Sequence, residues 1–248
     1  TVTDFSAVIT GILLAFNLPP ALPTWMAVLG SVVAIAIAKQ VFGGLGYNPF
    51  NPALIGRAVL LISFTGPMTT WTAPHVTDGT TTATPLGILA EKGVYEFTRA
   101  DTLNFFLGNM SGCIGEVSAL AIILGGLYML CRKCISWHIP VSFIGTVALF
   151  SAILWWSDKA NNMPPMFHLL SGGVMLGAIF MATDMVTSPV TGKGMIVFGA
   201  GCGLLTVVIR KWGDCPEGVS FAILIMNAFT PLINRATKPR LFGKRRNK

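Results

Sequence analysis

Seven apolar stretches, separated mostly by short connections, constrain this 248-residue chain more than any single motif in it. They run from Trp25 to Val41, Ala53 to Met68, Cys113 to Leu130, His138 to Trp156, Met166 to Ala182, Met195 to Ile209 and Val219 to Ile233. A helix that crosses a bilayer needs roughly 17–25 residues, and hydrocarbon tolerates only backbone that is hydrogen-bonded within the protein. The expected fold is an all-α integral membrane protein forming one polytopic domain over residues 1–248. Only 11% of the residues are charged, well below the ~25% of soluble domains.

An eighth segment, Phe5 to Leu18, is too short to span and runs into Leu18-Pro19-Pro20-Ala21-Leu22-Pro23. A helix that stops at paired prolines inside a membrane needs protein or a cavity around its freed backbone groups, so a re-entrant half-helix is predicted. The pattern then recurs. Gly11-Ile12-Leu13-Leu14-Ala15, a Pro-rich break, an apolar helix, Lys39, Phe42-Gly43 and Pro52-Ala53-Leu54-Ile55-Gly56-Arg57-Ala58 find counterparts in order. These are Gly177 to Ala182, the break Thr187-Ser188-Pro189, a second apolar helix, Lys211, Trp212-Gly213 and Pro231-Leu232-Ile233-Asn234-Arg235-Ala236. The order predicts inverted repeats at about 5–69 and 172–237, with broken helices meeting near the midplane.

The net charge of +7 does not point to nucleic acid, because six of the 17 basic residues sit in the tail after Thr237. Beside a bilayer such a tail is a cytoplasmic anchor. Arg132 and Lys133, in the short turn after the third apolar stretch, set the same side. Counting crossings from there places the loop of about 70–111 outside the cytoplasm and the tail, 237–248, inside it. Arg210-Lys211 then falls outside, against the rule. Cys131 and Cys134 have the spacing of half a metal site, and His75, His138 and His168 are isolated, so neither a metal centre nor a catalytic group is expected within this chain. Thr1 begins abruptly before a half-helix, as expected of part of a longer protein.

One loop carries a chemical signal. Asp78-Gly79-Thr80-Thr81-Thr82-Ala83-Thr84-Pro85-Leu86 has the composition of a solvated loop, but its order resembles the flavinylation strip of membrane redox pumps, Asp-Gly-x-Ser/Thr-Gly-Ala-Thr. Thr84 occupies the position whose hydroxyl is esterified to FMN, and Thr82 stands where that strip has Gly. A Thr hydroxyl is a weak nucleophile, so a separate flavin transferase must supply the activated phosphate. Ala83 leaves room for close approach, Pro85 keeps Thr84 out of helical geometry, and Asp78 can hold a metal or a hydrogen bond in the transferase complex.

Together with Thr10 to Pro20, Phe42 to Asn48, Asn51-Pro52-Ala53-Leu54, Gly56-Arg57-Ala58, Gly115-Glu116-Val117-Ser118 and Ala182-Thr183-Asp184, the strip resembles one family over essentially the whole chain. It is that of the D subunits of Rnf-type ion-translocating ferredoxin:NAD oxidoreductases, related to the B subunits of sodium-pumping NADH:quinone oxidoreductases. The resemblance implies a urea- and ammonium-channel-like fold and two further helices ahead of Thr1. It also implies covalent FMN on Thr84, a second non-covalent flavin of riboflavin type, and a place in a bacterial or archaeal plasma-membrane complex that exports Na⁺ or H⁺. Gly43-Gly44 corresponds to a turn that lies at the quinone site of the quinone-reducing relatives.

The residues themselves allow compatible roles. Glu116 is an intramembrane carboxylate, which is costly unless it lines a site, and Asp184 lies beside the second break. Arg57 and Arg235 hold equivalent places in the repeats and can pair with a carboxylate or a phosphate, or snorkel to an interface. A channel or transporter without redox activity, and a purely structural scaffold, remain open alternatives on these residues.

Overall fold

The computed structural model describes residues 5–72, 81–92, 95, 97–159, 161–213 and 217–239. Asp78, His75, Cys215 and most of the basic tail lie outside the described residues. The described residues fold as helices, with one small ladder of two short strands. Helix α1 (Ser6–Phe16) ends at Asn17, two residues before Pro19. After the break, α2 (Thr24–Val32) continues as a π-helical segment, Val33–Gln40. A glycine turn leads to α3 (Pro52–Ser63), whose N-cap Asn51 accepts from the Ala53 and Leu54 amides. Proline at the first helical position fits there because its missing N–H has no helical partner.

The intervening region holds α4 (Thr65–Thr69), strands β1 (Trp71–Thr72) and β2 (Thr81–Thr82), α5 (Pro85–Lys92) and α6 (Arg99–Leu107). The strands pair antiparallel, Trp71 opposite Thr82 and Thr72 opposite Thr81. Then follow α7 (Ala119–Cys131), α8 (His138–Ser157), α9 (Pro165–Leu170) and α10 (Val174–Leu176), the last running into a second π-helical segment, Gly177–Met181. A break at 182–191 precedes α11 (Gly192–Trp212) and α12 (Val219–Ala236).

Among the described residues, α8, α11 and α12 are long and apolar enough to cross a membrane; α1, Thr24–Gln40, α3 and α7 are shorter apolar helices. Two predicted spans are shorter than the sequence suggests. The stretch from Cys113 becomes helical only at Ala119, where Ser118 caps the Ala121 amide. Ahead of it the backbone is irregular and pairs with the first break, Gly115 N–H donating to Phe16 O (2.9 Å) and Ile114 N–H to Leu18 O (3.3 Å). Glu116 therefore precedes its helix instead of lying within it. The stretch from Met166 is interrupted at Gly172, which adopts φ +70°, a conformation open to glycine at little cost.

The main core packs Phe143, Val147, Phe198, Cys202 and Ile223 between α8, α11 and α12. Close approach needs small residues. A Cβ on Gly203 would lie 2.8 Å from Phe143 O, and one on Gly199 2.8 Å from Ile139 O, so the α8 and α11 backbones nearly touch. Outward, Val28, Val32, Leu124, Leu127, Leu149 and Ile153 are all exposed. An apolar exterior of this extent suits a lipid surface.

Candidate functional site

The two breaks meet. Asn17, which closes α1, turns its Nδ2 to Leu13 O (2.7 Å) and toward Met181 Sδ (3.9 Å), at the end of the second π-helical segment. Asn51 Nδ2 donates to Met181 O (3.1 Å). Both half-helices thus arrive by their C-termini, where the peptide dipoles leave partial negative charge.

Arg57 answers that charge. It is 3% exposed, and its Nη1 donates to Asn17 Oδ1 (3.1 Å) and Ser220 Oγ (2.9 Å). Nη2 forms an ion pair with Glu217 and lies 3.7 Å from Cys113 Sγ. Cys113 Sγ in turn reaches Asn17 O at 3.4 Å. One guanidinium therefore ties together the first break, the loop before α7 and the N-terminus of α12. The Cys113 thiol and the Glu116 and Glu217 carboxylates place one ligand atom each within 4.8 Å of one another. The guanidinium already serves that group as its cation, and a metal ion there would face an adjacent positive charge.

Glu116 connects to a second arginine. A Cβ on Gly173 would sit 3.6 Å from Glu116 Oε2, and the adjacent Gly172 packs against the Arg210 guanidinium and Leu86. Arg210 donates from Nη1 to His168 O (2.7 Å) and from Nη2 to Ser171 O (3.0 Å). Arg210 is thereby held inside the protein, its guanidinium capping the end of α9.

Above the network is a cavity of about 630 Å³, lined by Ala83 and Thr84 at one wall, Trp71, Met68, Leu61 and Ile62 at another, and Arg57, Glu217 and Ser220. Thr84 is 7% exposed, and its Oγ1 accepts from Gly87 N–H (3.0 Å), capping α5. Thr82 points elsewhere, exposed and bonded to Ser111 Oγ (3.0 Å). A second cavity, about 600 Å³, lies toward the other end of α12 and is lined by Thr10, Lys39, Asn48, Asn51, Cys134, Phe180 and Asp184. Asp184 accepts from Thr187 Oγ1 (3.1 Å).

The structure thus gathers Ala83, Thr84, Arg57 and, next to them, Glu116, while Asp184 belongs to the opposite cavity. Gly43 and Gly44 form a positive-φ turn (109° and 91°) in the connection that leads to Asn48. Arg57 and Arg235 are not equivalent: the first is buried near the start of α3, the second exposed in the last turn of α12. Sequence reasoning missed Glu217, Asn17, Ser220 and Trp71. An acid just ahead of an apolar span, as Glu217 is, was the available signal.

Comparison with known proteins adds an independent line. The family model described as "NQR2, RnfD, RnfE family" matches residues 1–243. The chain is 52% identical over 245 residues to the D subunit of the Na(+)-translocating ferredoxin:NAD(+) oxidoreductase complex of Acetobacterium woodii, covering 98% of this chain and 74% of that protein. It is 48% identical over 254 residues to the D subunit of the proton-translocating ferredoxin:NAD(+) oxidoreductase complex of Clostridium ljungdahlii, covering 99% and 77%. With the D subunit of the ion-translocating oxidoreductase complex of Stutzerimonas stutzeri the identity is 42% over 270 residues, covering 97% and 76%.

Proposed function

We propose, from the premise that this chain belongs to the NQR2, RnfD, RnfE family and is a membrane subunit of an ion-translocating oxidoreductase complex, that it carries electrons through FMN esterified to Thr84. One observation carries the reading: Thr84 lines a cavity of about 630 Å³, at the N-terminus of α5. That volume is within the usual range of small-molecule sites. The helix terminus favours a phosphate ester, since its amides and dipole both attract negative charge. The same cavity is lined by the buried aromatic side chain of Trp71 and by Ala58, Leu61 and Ile62, which offer apolar contact.

When bound, a flavin supplies single-electron chemistry that no side chain here provides. The protein's share is electrostatic. Arg57 and Glu217 line the same cavity, so Arg57 can stabilise negative charge that develops within it, while Glu217 and Ser220 hold the guanidinium in place. Cys113 and Glu116 extend this network toward Arg210. The cavity bounded by Lys39, Asn51, Phe180 and Asp184 has room for a second, non-covalent flavin of riboflavin type. Electron donors and acceptors come from partner subunits, and a flavin transferase installs the FMN. We place Thr84 on the non-cytoplasmic side and the C-terminus in the cytoplasm; the C-terminus-to-C-terminus meeting of the breaks supports an inverted repeat. Overall similarity does not select the ion, because relatives at 52% and 48% identity are named for Na⁺ and for protons.

The test is mass spectrometry and in-gel flavin fluorescence of protein produced with its transferase. Thr84→Ala is expected to abolish bound flavin and Thr82→Ala to retain it. Flavin that follows Thr82 would move the ester to that hydroxyl, and a colourless wild-type protein would overturn the flavin assignment.

A further inference from the structure

Asn227, on α12, takes no part in the network above. It is 2% exposed, and among the described residues neither Oδ1 nor Nδ2 has a hydrogen-bond partner. Leaving a buried amide unpaired is expensive, and folded proteins almost always provide a partner. Four residues on, inside the same helix, stands Pro231. Proline has no N–H, so the Asn227 carbonyl is denied its usual helical donor. The Asn227 side-chain amide is thus unpaired, and its main-chain carbonyl lacks the i+4 N–H that a regular helix would offer it.

The neighbouring turns locate these oxygens. Ile223 packs against the second π-helical segment, 3.5 Å from where a Cβ on Gly177 would lie. Thr230 Oγ1 donates to Thr187 O (2.9 Å), in the following break. Residues three and four apart share a helix face, so Asn227 faces the junction between those contacts. Thr187 in turn donates to Asp184 (3.1 Å), which lines the cavity of about 600 Å³. The π-helical segment ends at Met181, directing its negative dipole end toward the same break. Unwound backbone and half-helix C-termini are where membrane proteins hold small cations.

We propose that Asn227 Oδ1, the Asn227 carbonyl and Thr230 Oγ1 form a site for a monovalent cation. Oxygen ligands suit a hard ion, and the absence of a carboxylate from the three ligands favours one charge over two. The site rests on the reading of the chain as part of an ion-translocating complex for its purpose alone.

Thermal unfolding of the full purified chain in matched NaCl, KCl and choline chloride tests it. Na⁺ or K⁺ is expected to raise the midpoint by about 5–10 °C over choline at a hundredfold excess over Kd. Asn227→Ala should abolish that difference. Pro231→Ala restores an N–H to the carbonyl, so it should weaken the cation response at least tenfold in concentration while leaving the choline midpoint equal or higher. Equal wild-type midpoints in all three salts, or a cation-specific gain that survives Pro231→Ala, would overturn the site; if Asn227→Ala does not fold, Pro231→Ala decides. Because the readout needs neither flavin nor pumping, failure here leaves the Thr84 assignment untouched.

Discussion

Arg57 concentrates more of the site's energetics than any other residue. Removing one partner of a buried ion pair strands the other charge and costs about 3–5 kcal/mol, whereas replacing both with apolar residues of similar volume is often close to neutral. Arg57→Met and Glu217→Leu should each destabilise the purified chain by about that amount, and the double variant should recover most of the loss in denaturant unfolding. Additive losses would mean that Asn17 and Ser220, not Glu217, are the partners that matter. A second expectation concerns Glu116. Glu116→Gln keeps the shape and removes the charge between Arg57 and Arg210, so ion transport in the assembled complex should fall by tenfold or more at unchanged abundance. At this scale the site is half legible in the sequence. Arg57, Thr84 and Glu116 stand out in an apolar sequence because charge and clustered hydroxyls are rare there. Asn17 and Ser220 do not, because a single amide or hydroxyl in a membrane helix has no periodic signature; their roles come from a guanidinium 40 and 163 positions away in the chain.

Helices are more legible than their ends. Apolar length predicts α8, α11 and α12 closely, yet hydropathy cannot distinguish helix from irregular backbone that is protected by protein. For that reason Cys113 to Ser118 and the Gly172 interruption read as helix in the sequence. The repeat rests on Pro-x-Leu-type words, which align the beginning of α3 with the end of α12 and so pair Arg57 with Arg235. Between elements, the α8–α11 contact depends on glycines at 199 and 203, one turn apart on α11, while Gly201 faces Met226 of α12. Gly199→Val places a Cβ against Ser142 Oγ, 2.8 Å from the Ile139 carbonyl oxygen and 3.2 Å from the Phe143 amide nitrogen, with two methyl groups beyond it. It should lower the unfolding midpoint and reduce membrane-inserted yield at least severalfold, compared by quantitative immunoblot with Ile153→Val on the exposed face. Equal yields would mean that the two helices can move apart without penalty.

For the whole molecule, the proposed topology makes a two-sided claim. Cys131 and Cys134 are exposed, as are Gln40 and Lys211. Lys39 is 3% exposed and unsuitable for labelling. An impermeant maleimide should modify the native pair, or a cysteine at Gln40, only in inside-out vesicles, and a cysteine at Lys211 only in right-side-out ones. Same-side labelling of 40 and 211 would remove the inverted repeat. The burial of Thr84 has a consequence for the order of biogenesis. In the folded chain Thr84 is 7% exposed, and its hydroxyl is already engaged by an amide of the helix it caps. On the flavin proposal, a transferase must then meet this loop while it is still open. Late expression of the transferase, after the protein has matured, should leave a large apo population that loads slowly, whereas co-expression should load nearly all of it, making timing a determinant of how much active complex a cell contains.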